Sequence, residues 1–159
     1  MHRPSDFRIS PLPLEDFSPL FQLSDAELRS RGMKRVVADS RPGFPCRVSL
    51  DDAEVGETLI LLPYEHHPSP GPYRSSGPIF VRERAVPARL AINEVPRCVW
   101  ERYLSVRAYD GEGMMVRAVV AHGENLADCV TKLLADDRTR YLHVHNARPG
   151  CYVFRVDRA

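Results

Sequence analysis

Lysine is nearly missing from this chain: Lys34 and Lys132 are its only two, so arginine supplies most of the 22 basic side chains. Against 21 Asp and Glu the formal net charge is +1. A general nucleic-acid binder shows a clustered basic excess, which this balance excludes. The arginine bias follows from GC-rich coding as readily as from anion recognition by guanidinium forks. No apolar run approaches the length of a membrane span, and the amino end lacks the basic, apolar, small-residue order of a signal peptide. A soluble, cytoplasmic protein is the resulting expectation, with no nucleic acid and no membrane among its partners. Cys46, Cys98, Cys129 and Cys151 form no Cys-x-x-Cys pair, so neither a zinc knuckle nor a thioredoxin-like motif is present. In a reducing compartment they are thiols. Also missing are a Gly-x-Ser-x-Gly elbow, a Ser-His-Asp order and a paired-carboxylate pattern.

What is present is 159 residues with 43% hydrophobic content, enough for one domain over 1–159 with a sizeable core. The centre is the stretch from Leu59 to Glu83. An apolar run, Thr58 to Leu62, breaks at Pro63, and a second, Pro78 to Val81, follows a Pro/Gly-rich loop over 64–77. Two buried strands joined by a stiffened polar loop are a way to present a site.

Around it, Phe7-Arg8-Ile9 reads as a short strand. Ser24 and Glu27 have capping-box spacing and open a short helix, about 24–31. Val36 and Val37 give 33–39 strand character, and Leu90 to Ile92 reads as a short edge strand. Tyr103–Tyr109 and Met114–Ala121 form a hairpin about Asp110-Gly111. Leu126, Cys129, Val130, Leu133 and Leu134 recur at three- and four-residue steps, predicting a main helix over about 124–136. A second hairpin covers 140–156. Hairpins force antiparallel neighbours, so the fold class is α+β with a mainly antiparallel sheet. Pairing Asn146 with Gly150 sets His145 opposite Cys151 and His143 opposite Val153. It turns Leu142, Val144, Tyr152, Phe154 and Val156 towards the helix. Tyr141, His143, His145, Cys151 and Arg155 share the other, wetter face.

Several short motifs occur in fixed order: Pro45-Cys46-Arg47, Leu61 to Tyr64, Pro72-Tyr73, Ser76 to Phe80, Arg107 to Asp110, and Gly150-Cys151-Tyr152. From roughly Phe44 to the end the chain resembles a bacterial family known as domain of unknown function number 1203. The resemblance implies a small single-domain bacterial protein and brings no activity. It also implies that Cys46, Tyr73, Gly77, Tyr109, Asp110 and Cys151 belong to one shared framework.

Four groups of residues could carry chemistry. His143 and His145 are two apart, so on a strand both imidazoles point one way and could grip one metal. That reading needs further ligands, from His66, His67, Glu65 or Cys151; the alternative is two histidines on a wet face. Cys151 beside His145, with Arg47, Arg148 or Arg155 nearby, could be a thiolate nucleophile; the alternative for Cys46 and Cys151 is core packing. A Cys46–Cys151 disulfide requires Cα atoms close together. In the loop, Arg74, Ser75, Ser76 and Gly77 could hold a carboxylate or phosphate, without the glycine spacing and lysine of a nucleotide loop. Asp110 should supply the turn, and Arg107 a cross-strand salt bridge.

The leading expectation is therefore binding of a small polar or anionic ligand between the 64–77 loop and the 140–156 hairpin. Tyr73 and Arg74 would position it, His143, His145 and Arg155 would meet it, and Cys46, Arg47 and Cys151 would line the floor. The cofactor is unknown, and none is strongly implied. A metal- or cysteine-dependent enzyme, or a homodimer formed through the loop, are the other readings.

Overall fold

The computed structural model describes residues 6–159. Phe7 and Ile9 are buried and Arg8 is exposed, the alternation of a half-buried strand, β1 (Phe7–Ser10). Helix α1 (Asp25–Ser30) opens on the expected capping box. The Ser24 hydroxyl accepts from the Glu27 amide at 3.2 Å, and the Glu27 carboxylate accepts from the Ser24 amide at 2.7 Å. Strand β2 (Lys34–Val37) pairs with β3 (Thr58–His67), which pairs with β4 (Ser75–Arg82). Then come β5 (Tyr103–Tyr109), β6 (Met115–His122), α2 (Leu126–Leu134), β7 (Tyr141–Asn146) and β8 (Tyr152–Arg158). The strands form two sheets, β1-β8-β7-β5-β6 and β2-β3-β4, and every strand pair is antiparallel. The α+β class is the one the hairpins predict.

One core lies between α2 and the five-stranded sheet. Leu126, Val130, Leu133 and Leu134 pack with Leu104, Val106, Leu142, Val144, Phe154 and Val156. Each large side chain buried here contributes roughly 1.5–3 kcal/mol before ordering entropy is charged. Arg158 ties β8 to the end of α2: its guanidinium donates to the Leu134, Asp136 and Thr139 carbonyls, which have no partner within the helix. A second core joins α1 and the smaller sheet through Leu28, Ile60, Leu62, Ile79 and Val81, and it reaches Tyr152 on β8.

Four local expectations are corrected. The central strand does not end at Pro63; β3 runs on to His67, leaving a loop of only 68–74. Pro63 lies past the end of β2 and registers with Pro78, so its missing amide disrupts no flanking ladder. Leu90 to Ile92 forms no strand. In the final hairpin, His143 registers with Arg155 and His145 with Tyr152, not with Val153 and Cys151. The cause is a bulge: two residues of β8 oppose one of β7 between Val144–Phe154 and His145–Tyr152. Val153 and Phe154 both enter the helix-side core, while Tyr152 turns to the histidine face. That face is not wet. The smaller sheet covers it, leaving His143 3% and His145 1% exposed.

Gly123, between β6 and α2, sits against the backbone of Val99 and Trp100. A Cβ there overlaps the Val99 carbonyl, and backbone on both sides has nowhere to go. Gly123→Ala should destabilise the fold by at least about 2 kcal/mol, read as a lower denaturant midpoint with unchanged slope.

Candidate functional site

The site forms where the two sheets meet. His143 and His145 alternate on β7, the strand flanked by β5 and β8, so both rings leave the sheet on one side. His66 arrives from the opposite sheet. A second bulge makes this possible: β3 and β4 pair Tyr64 with Gly77 and then His67 with Ser75, so β3 carries an extra residue. Bulges re-aim side chains, and here both His66 and His67 meet the His143 ring, at centroid separations of 6.2 and 5.3 Å. The His66 ring stacks on Tyr152 at 5.4 Å and stands edge-on to His145 at 4.8 Å.

The two adjacent histidines have different jobs. His67 has both nitrogens engaged: Nδ1 lies 2.9 Å from the Tyr73 carbonyl and Nε2 2.6 Å from the Tyr141 hydroxyl. Both ring nitrogens are thereby occupied, which leaves His67 no free lone pair for a further partner. His66 Nδ1, His143 Nδ1 and His145 Nε2 are buried and have no hydrogen-bond partner. One ring nitrogen from each of these three residues lies within 4.8 Å of the others. His145 Nδ1 is 2.9 Å from the Gly150 carbonyl. That bond places the proton on Nδ1 and leaves the Nε2 lone pair bare, the arrangement that fixes metal-ligating imidazoles.

Electrostatics keep the three rings neutral. Burial first, then Arg107 and His67, lower His66 to about 4. Burial lowers His145 to about 4, with Arg107, His66 and Arg47 adding to it and the Gly150 bond opposing. Burial, His67, His145, His66 and Arg155 push His143 to about 2. The guanidiniums of Arg107, Arg47 and Arg155 all act against protonation of the cluster. Arg107 lines a cavity of about 270 Å³ together with His66, His145, Ser75 and Tyr152. A larger cavity of about 580 Å³ adjoins it and shares Pro78, Pro149 and Cys151 as lining.

The candidate residues from the sequence divide as follows. His143 and His145 come together with His66, and Cys151 lines both cavities, its sulfur accepting from Asn146 Nδ2 at 3.3 Å. Arg47 is 1% exposed and lines the larger cavity. Cys46 instead sits in the second core, its sulfur accepting from the Ser49 and Arg82 amides at 3.4 Å. All four cysteines are free thiols. Arg74 points to Glu65 on the surface, 3.2 Å away. Tyr73 contributes its carbonyl to His67 and its ring to Tyr109. Arg155 pairs with Asp157 and lies over the Tyr141 ring at 4.1 Å. Asp110 serves the turn, accepting from the Glu112 and Met114 amides at 2.9 Å. Arg107 makes no cross-strand salt bridge among the described residues; it bonds Ser105 Oγ at 3.2 Å and faces the small cavity. Its alternation with Val106 and Ala108 put it on the histidine face, a signal open to sequence reading.

An antiparallel α+β protein whose two sheets enclose three orphaned imidazoles is the class these features define. The family model described as "Protein of unknown function (DUF1203)" matches residues 43–158, and the chain belongs to that family. No curated protein and no solved structure matches it.

The neutral imidazoles set a pH dependence. The unfolded chain takes up protons near 6.5 while the folded rings resist until about 4 or below, so stability falls as pH falls through that window. Melting temperature of metal-free protein should drop steadily from pH 6.5 to 4. In His143→Gln the drop should be smaller.

Proposed function

We propose that the protein binds a divalent first-row transition metal through His66, His143 and His145, with zinc the best match to an all-imidazole set. The observation that carries this is the triplet itself. Three buried ring nitrogens from two sheets lack any hydrogen-bond partner, and each leaves a cost of order 1–3 kcal/mol unless something fills the space between them. In a tetrahedral zinc site, nitrogens at about 2.0–2.1 Å from the metal stand roughly 3.3 Å apart. The nitrogens, within 4.8 Å of one another, would have to draw closer on binding.

Three protein ligands leave a coordination position for a water or a small ligand. Neutral imidazoles do not offset the metal's charge, and Arg107 adds to it. The small cavity beside His66 and His145 therefore suits an anion: a hydroxide, a carboxylate or a phosphate oxygen. In this reading the small polar or anionic ligand expected from the sequence would bind here, with the metal rather than Arg74 as its main anchor.

Elemental analysis after dialysis of zinc-loaded protein tests the reading. About one metal per chain should remain in the wild type, and far less in His143→Ala and in His66→Ala. Cobalt loading should give visible absorption bands that the same variants lose. Equal retention by wild type and folded variants would overturn the proposal.

A further inference from the structure

The larger cavity carries a feature that the histidine cluster does not explain. Arg47 is buried in its wall, yet among the described residues no carboxylate pairs with it. Its Nε donates to the Tyr152 carbonyl at 2.6 Å and its Nη1 to the Pro45 carbonyl. Those bonds satisfy donors but bring no carboxylate to the charge. Burial lowers its pKa; the Cys151 thiol, which also accepts a hydrogen bond from it, and the Cys46 thiol raise it. A guanidinium stays protonated even so, and a desolvated, unpaired charge is among the costliest things a fold can hold. Nearby Arg102 is different, since Asp52 neutralises it at 3.0 Å, but its Nη1 is buried without a partner.

The wall is mixed. Pro45, Leu61, Pro78, Phe80 and Pro149 give a space of about 580 Å³ an apolar side, while Glu101, Arg102, Asn146 and Arg148 line the rest of it. That volume falls within the usual range for small-molecule sites, and such sites combine apolar walls with a few fixed polar groups.

We propose that this cavity binds an organic monoanion with an apolar body, its charged head paired with Arg47 and its body against Leu61, Phe80 and the prolines. The head supplies the counter-charge that the fold omits. The site stands on the guanidinium and not on the metal, so it goes beyond the reading of the histidine cluster.

Calorimetric titration of chelator-treated protein with octanoate, acetate and 1-octanol separates head from body. Octanoate should bind at least about tenfold tighter than acetate, which lacks the body, and than 1-octanol, which lacks the charge. Leu61→Trp, which fills the cavity, should weaken octanoate by a similar factor while circular dichroism stays unchanged. Arg47→Met should abolish the preference for octanoate over octanol; if that variant fails to fold, the octanol comparison on wild type decides the same point. Equal binding of octanoate and octanol, equal binding of octanoate and acetate, or an unaffected folded Leu61→Trp would each overturn the proposal. Octanoate binding that appears only after zinc loading would also overturn it, placing the anion on the metal and leaving the metal reading intact.

Discussion

Everything about the site follows from enclosing imidazole rings between two sheets while leaving one nitrogen on each of three of them without a hydrogen-bond partner among the described residues. Solvent normally pays that debt, and His143 and His145 are almost wholly shielded from it. The rings survive there only as neutral species, because desolvation and neighbouring cations both oppose protonation. Neutrality is also the state in which an imidazole donates a lone pair. The constraint that makes the cluster unfavourable as packing makes it suitable as a ligand set.

The element plan could be read from residue types. The Ser24–Glu27 box, the Asp110 turn and the apolar steps of 126–134 each name a local structure with a physical cause, and each forms. Half the site was readable for the same reason: His143 and His145 share a face because strand periodicity demands it. The other half was hidden by two bulges. An extra residue in β3 sends both His66 and His67 towards the sheet, and another in β8 swings Tyr152 to the histidines. Bulges obey no periodicity, so pattern reading assigns the wrong face beyond each one. Pro63 misled differently. It looks like a stop, but it lies past the end of β2 and opposite Pro78, and the β3–β4 pairing runs through it. Burial of the supposedly wet face depends on sheet-on-sheet packing between distant segments, which no local window contains.

Charge distinguishes this centre from a histidine cluster held by carboxylates. Arg107 faces the small cavity and Arg47 the large one, and neither has a carboxylate partner among the described residues. Arg82 and Arg102, by contrast, are neutralised by Glu57 and Asp52. Tyr152 links the parts: its carbonyl accepts from Arg47 while its ring supports His66.

The pairing of β1 with β8 sets Phe7 beside Arg158, across almost the entire described sequence. Such a contact closes the longest loop the chain offers, and its entropic cost falls late in assembly. Until 152–158 has docked, Phe7 and Ile9 have no strand to lie on, and the terminal carbonyls of α2 lack the Arg158 guanidinium. The sheet should thus zip from its hairpins outward and latch at this seam. Because the seam brings residues 7 and 158 side by side, a short peptide bridge between them, with new ends opened at the exposed pair Gly111 and Glu112, would rearrange connectivity while keeping every strand neighbour.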